Sequence, residues 1–104
     1  MSDETTLKEA PQAPEWLGRT ELLLGNEILE RMRNLHVLVI GLGGVGSFAA
    51  EFLTRAGVGR MTIVDGDTVD QSNINRQLPA LHSTIGQSKT AVMAERMRDI
   101  NPDL

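Results

Sequence analysis

The chain has 104 residues, 40% of them hydrophobic and 23% charged, which is the composition of an ordinary globular domain. Fourteen acidic against ten basic residues leave a formal charge of −4, so the segment offers no basic face for nucleic acid, and an RNA partner would be held elsewhere. Without cysteine there is no disulfide, thiolate metal site or cysteine nucleophile within these residues, and the acidic start Met1-Ser2-Asp3-Glu4 does not read as an export signal.

Residues 1–14 mix charges, threonines and prolines with no apolar period and read as a flexible tail; residues 15–104 read as one unit. Glu15 to Leu24 is expected to form a short helix or turn bearing Leu17 and Leu22-Leu23-Leu24, with Trp16 packed beneath it. Asn26 is expected to cap a second helix, Glu27 to Asn34, with Ile28, Leu29 and Met32 on one face. Leu35-His36-Val37-Leu38-Val39-Ile40 is a nearly continuous apolar run ending at a glycine, the pattern of a strand covered on both faces in a parallel sheet. Beyond the glycines, Val45, Phe48, Ala49, Phe52, Leu53 and Ala56 recur at three and four residues. That spacing predicts an amphipathic helix with these residues turned to the core and Gly57 as its stop. Arg60-Met61-Thr62-Ile63-Val64-Asp65 is a second strand, which completes a right-handed βαβ crossover.

Gly66 to Thr84 is polar and irregular, of a length at which loops usually carry function. Ser88 caps a third long helix running to Ile100, with Val92, Met93, Met97 and Ile100 inward and Asn101-Pro102 as its end. The fold class is therefore α/β: a Rossmann-like βαβ unit with N-terminal helices, the first part of a larger, mostly parallel, doubly wound sheet. Two strands leave sheet edges unpaired and the chain stops where a third should begin, so a C-terminally truncated fragment of a longer protein is expected. The longest apolar stretch, Leu35 to Ala50, is broken by four glycines and a histidine and is too short to insert in a membrane; the expected location is the cytoplasm.

The glycines at 41, 43 and 46 match G-x-G-x-x-G between a strand and a helix, with Gly44 inside the loop. Lacking Cβ atoms, they let the backbone approach a phosphate, and the helix start adds amide donors and a positive dipole end. Asp65 closes the second strand at about the distance of a ribose-binding acid. Asn73, Arg76 and Gln77 in the long loop and Lys89 at the last helix add the cations that nucleoside triphosphate cleavage requires. Asn73 and Arg76, three apart, would share one side of a helical turn. His36, at the start of a buried strand, and His82 read as structural, and the methionines as core filling.

Gly41-Leu42-Gly43-Gly44-Val45-Gly46-Ser47, Arg55-Ala56-Gly57-Val58-Gly59, Asp65-Gly66-Asp67, Asn73-Ile74-Asn75-Arg76-Gln77 and Gly86-Gln87-Ser88-Lys89 occur in this order. Together they resemble the adenylating domain of the ThiF, MoeB and ubiquitin-activating superfamily, over about Trp16 to Pro102. The resemblance implies that Asp65 holds the ribose hydroxyls of ATP and that Arg76 and Lys89 contact its phosphates. It also implies that Asn73 and Gln77 shape the site and that Asp67 belongs to the cofactor-binding set, either supporting a residue that touches the nucleotide or serving the fold. Arg19 falls where the superfamily places an arginine finger that reaches a neighbouring subunit, which implies a homodimer. The Mg2+ ligand of the superfamily would follow residue 104. Arg19-Thr20-Glu21-Leu22-Leu23-Leu24-Gly25, Asn75-Arg76-Gln77-Leu78-Pro79-Ala80-Leu81 and Val92-Met93-Ala94-Glu95-Arg96 are similar to the tRNA threonylcarbamoyladenosine dehydratase branch. That branch implies a modified tRNA as substrate, and a sulfur-transfer or cysteine desulfurase system as a further partner. The alternatives are a MoeB- or ThiF-like adenylyltransferase of a ubiquitin-like sulfur carrier, and a catalytically incomplete nucleotide-binding fragment.

Overall fold

The structure, a computed structural model, describes residues 13–104; the expected tail over 1–14 lies outside the described residues except for Ala13 and Pro14. A 3-10 turn, Glu15–Leu17, leads into α1 (Gly18–Leu24), and α2 (Asn26–Arg33) follows after a single residue. That one-residue corner leaves no separate cap position for Asn26, which becomes the first residue of α2 with Gly25 before it. Leu17 and Leu29 are buried, whereas Trp16 and Ile28 are exposed. Trp16 therefore does not pack beneath the first helix as expected.

Strands β1 (His36–Ile40) and β2 (Arg60–Val64) pair in parallel, in register from His36 opposite Arg60 to Ile40 opposite Val64. Their connection runs through α3 (Gly46–Arg55). Val39, Met61 and Ile63 pack on a core of Leu42, Ala50, Met93 and Met97. The opposite face is open: Leu38, Ile40 and Val64 are exposed, and His36 lies beside Thr62 with Nε2 2.7 Å from Oγ1. Neither cover on both faces nor a buried His36 is found, because α3 and α4 (Lys89–Ile100) both pack on one face and no other described element covers the second. At the base of the sheet, α2 and β2 meet backbone to backbone. A Cβ on Gly59 would stand 1.8 Å from the Arg33 carbonyl oxygen, so only glycine fits there.

Helix α3 follows its apolar period only in part: Ala49, Leu53 and Ala56 are half-buried. Ser47, Ala50, Glu51 and Thr54 face inward, while Val45, Phe48 and Phe52 are exposed. The inward polar groups are all partnered, which is what makes their burial tolerable. Ser47 Oγ donates to the Gly43 carbonyl, and Thr54 Oγ1 donates to the Ala50 carbonyl at 2.8 Å. The small residues let α3 lie close to the sheet and α4. At its end the Gly57 and Val58 amides bond the carbonyls of Thr54 and Leu53, the double closure expected of a glycine stop.

The stretch from Gly66 to Ser88 is ordered by local ties rather than irregular. Thr68 bridges Ser88, Val69 is buried, and Asp70 and Asn73 form a reciprocal box around the turn Gln71–Asn73. A second 3-10 turn spans His82–Thr84. Ser88 caps α4 as expected, its hydroxyl accepting the Ala91 amide, and Met93 and Met97 are buried. No helix of the described residues is long and apolar enough to cross a membrane.

Glu51 joins α3 to α4. Its buried carboxylate accepts from Arg96 Nε and, at 3.0 Å, from Arg55 Nε. The Arg96 hydrogen bond, helped by Arg55, holds the Glu51 carboxyl below the usual range in spite of burial. A lowered folded value means that the stabilisation is complete above the ordinary glutamate value of about 4.3 and is lost as pH falls through the folded one. Glu51→Gln is expected to cost about 1–2 kcal/mol at neutral pH in urea unfolding, less than a fully buried pair because both guanidinium groups reach solvent. Variant and parent should converge on acidification below about pH 4; equal stability at pH 7 would contradict the assignment.

Candidate functional site

The glycine loop leaves the end of β1 where the Gly41 amide continues the sheet by donating to the Val64 carbonyl at 2.7 Å. The loop then doubles back so tightly that a Cβ on Gly46 would stand 1.7 Å from the Gly41 carbonyl oxygen. No described side chain caps α3, and of its first amides that of Ser47 already donates to the Gly43 carbonyl at 3.1 Å. Asp65, one residue beyond β2, accepts the Leu42 amide on Oδ2 at 2.7 Å and the Asp67 amide on Oδ1 at 2.8 Å. These amides, Leu42 first, hold its carboxyl below the usual aspartate range, and the charge of Lys89 acts in the same direction.

The segment from Asn73 to Ala80 arches over the loop. A Cβ on Gly43 would lie 3.6 Å from Gln77 Nε2, and one on Gly44 3.6 Å from Arg76 Cγ, so the gap between loop and arch is about a methyl group wide. Gln77 is buried, and its Oε1 is the one buried side-chain oxygen or nitrogen among the described residues without a hydrogen-bond partner. Asn73 and Arg76 do not share one side. Asn73 is buried, with Oδ1 accepting the Asp70 amide, whereas Arg76 is exposed and its Nη1 donates to the Ser72 carbonyl and Asn75 Oδ1. The reciprocal box with Asp70 turns Asn73 inward, an effect that residue spacing does not disclose.

Lys89 begins α4 and is only 6% exposed, yet no hydrogen bond or ion pair engages its ammonium among the described residues. Its backbone amide donates to the Asp67 carbonyl at 3.2 Å, which sets it beside the end of β2. Its charge reaches the carboxylates of Asp65 and Asp70. Asp67 itself is exposed, with its amide donating to Asp65 Oδ1 and its carbonyl accepting the Lys89 amide. Gly41 to Gly46, Asp65, Gln77, Arg76 and Lys89 are thus brought together at the C-terminal ends of the strands, where open α/β sheets bind ligands. Arg19 is not among them. It is exposed on α1, whose approach runs through Leu17 to Gly57, at the other end of the sheet. That end also holds a cavity of about 470 Å3 lined by Trp16, Leu29, Arg33 and Asn101, remote from the glycine loop.

Two residues of this region escaped the sequence reading. Ser47, the residue after the last glycine of the loop, is buried between loop and arch. Asp70, whose carboxyl is held low by the Ser72 hydroxyl and amide, faces Lys89 electrostatically. A serine directly after a glycine loop and an Asp-x-x-Asn box are the signals that could have marked them.

The model of the ThiF family matches residues 17–104. The tRNA threonylcarbamoyladenosine dehydratase of Bacillus subtilis is 58% identical over 86 residues, covering 83% of this chain and 34% of that protein. The molybdopterin-synthase adenylyltransferase of Salmonella typhimurium is 41% identical over 75 residues, 72% of this chain and 30% of that protein. Among solved structures, the E. coli tRNA N6-threonylcarbamoyladenosine dehydratase TcdA in complex with ATP superposes with a TM-score of 0.84. It is 46% identical, over 86% of this chain and 37% of that one. The chain thus spans about a third of the length of the relatives it matches. With its parallel strands, glycine loop and family match in agreement, this chain belongs to the ThiF family.

Proposed function

We propose that the protein carrying this chain is an ATP-dependent adenylating enzyme of the tRNA threonylcarbamoyladenosine dehydratase type. It would activate the threonyl carboxylate of the modified tRNA adenosine for closure into a ring. The observation that carries the reading is the convergence at the strand ends, where the Gly41–Gly46 loop and the start of α3 meet Asp65, kept ionised by the Leu42 and Asp67 amides, and Lys89, a cation whose charge reaches Asp65 and Asp70. The identity of 58% to the dehydratase of B. subtilis, and the likeness to its E. coli counterpart in complex with ATP, support this substrate class and cofactor.

In this reading the loop amides and the start of α3 bind the phosphate chain, and Lys89 and Arg76 orient it. Asp65 receives the ribose hydroxyls while its backbone partners keep it ionised. The orphaned Oε1 of Gln77 fits a donor on the bound nucleotide. ATP supplies the leaving-group chemistry: a carboxylate oxygen that would not depart becomes part of AMP, which an internal nucleophile displaces. Magnesium belongs to the same reading, held from outside the described residues, among which no three His, Asp or Glu side chains gather as a metal site. The reaction places the protein in the cytoplasm, with any sulfur-transfer or desulfurase partner acting on other parts of it.

A homodimer completes the reading. Arg19 is exposed on α1, just after Leu17, which packs by Gly57 at the far end of α3 from the glycine loop, a position open to a neighbouring subunit. Leu22, Leu23, Val45 and Phe52 leave apolar surface uncovered, which is the material of an interface.

Three outcomes test these proposals on the full-length protein. Lys89→Met or Arg76→Ala should lower ATP-dependent turnover by about 10²-fold or more, as loss of a charge-stabilising donor does; near-normal rates would remove the residue from the site. Pyrophosphate and AMP should be released with tRNA bearing the modified adenosine. Turnover only with a carrier protein would instead select the sulfur-carrier reading. Finally, an equal mixture of Arg19→Ala and Lys89→Met subunits should regain about a quarter of the parental rate, since half the dimers would hold one intact composite site. No recovery on mixing would place Arg19 outside the partner's site.

A further inference from the structure

Ser47 stands in the first turn of α3 with no solvent exposure, so no ligand reaches its hydroxyl. That hydroxyl has two partners, one four residues back and one 31 residues on. Its O–H donates to the Gly43 carbonyl at 2.5 Å, and its oxygen accepts the Leu78 amide at 3.3 Å. The first partner lies inside the glycine loop. The second directly follows Arg76 and Gln77.

The other hydrogen bonds of the arch run within it or to the stretch that adjoins it: Asn73 Oδ1 accepts the Asp70 amide, Arg76 Nη1 donates to the Ser72 carbonyl, and the Pro79 carbonyl accepts the Thr84 hydroxyl. The amides of Arg76 and Gln77 donate to the Asn73 carbonyl, and the Ala80 amide donates to that of Gln77. Among the described residues, Ser47 to Leu78 is the one hydrogen bond that crosses between the loop and the arch. Leu78 also sends its side chain onto the core, so this amide is where the arch is referenced to the rest of the fold. Only about the width of a methyl group separates Arg76 and Gln77 from Gly44 and Gly43, so a small slip of the arch changes where the guanidinium stands relative to the loop amides.

We propose that Ser47 is a positioning residue of the nucleotide site. Its hydroxyl clamps the Asn73–Ala80 arch to the glycine loop, so that Arg76, Gln77 and the loop amides address one phosphate chain. The inference rests on the nucleotide reading above and adds a residue that acts through others without touching the ligand.

The test is ATP affinity by calorimetry on the full-length protein, with thermal midpoints recorded alongside. Ser47→Ala is compared with Thr54→Ala, which removes another fully buried hydroxyl of α3 whose only bond is local, to Ala50. Ser47→Ala should weaken ATP binding about tenfold, the scale of one lost hydrogen bond. Thr54→Ala should leave affinity within about twofold even where the melting point falls equally. Unchanged affinity in Ser47→Ala, or the same loss in both variants, overturns the proposal. Should Ser47→Ala not fold, Ser47→Cys keeps the volume and a weak donor and takes its place with the same two outcomes. Failure of both to fold assigns the hydroxyl to folding alone and overturns the positioning role. Absence of ATP binding by the unaltered protein is a separate result, and overturns the nucleotide reading itself.

Discussion

The amide of Leu42 donates to the carboxylate of Asp65 across the end of the sheet, and most of what surrounds it depends on that bond being possible. It requires the two strands to end level, which the pairing of Ile40 with Val64 provides. A slip of one residue would turn Asp65 to the other face of the strand, away from the loop. From Asp65 the order passes outward. Its second oxygen holds the Asp67 amide, and the Asp67 carbonyl holds the amide of Lys89. Three backbone amides and one carboxylate thus set the loop and the first turn of α4 beside each other. Because those amides lower the Asp65 carboxyl, the arrangement persists to more acid conditions than an isolated aspartate would permit.

Much of this frame was legible in the residues themselves. The two strands, the glycine stop at Gly57 and the Ser88 cap of α4 all follow from local pattern, and the structure keeps them. The glycine loop and Asp65 were likewise recognisable from spacing between recognisable elements. The facing of α3 was not. An apolar period points inward only when the polar alternative lacks partners, and Ser47, Glu51 and Thr54 each find one that lies on a neighbouring turn or a distant segment. The stretch after Gly66 read as irregular for a related reason, since its ties are a reciprocal Asp70–Asn73 box and a bridge between Thr68 and Ser88. The burial of Lys89 was equally invisible, because it depends on packing brought about by those same ties.

Two apolar faces stay uncovered among the described residues: Leu38, Ile40 and Val64 on the sheet, and Val45, Phe48 and Phe52 on α3. They lie on opposite sides of the packed layer, one behind the strands and one outside the helix. The candidate site at the strand ends is therefore flanked by surfaces that soluble monomers seldom display, and its surroundings in the assembled protein are set by what covers them.

The ion pair of Glu51 has a geometric meaning beyond its contribution to stability. Gly46 and Lys89, the first residues of α3 and α4, are the two helix starts that face the candidate site. Glu51 lies five residues along α3 and Arg96 seven along α4, or about 7.5 Å and 10.5 Å from those starts. The pair works as a cross-strut between the two packed helices, some distance behind their tips. Sliding either helix along its axis must stretch the strut, so the gap between the loop amides and the lysine is gauged from inside the protein, at a point that no nucleotide touches.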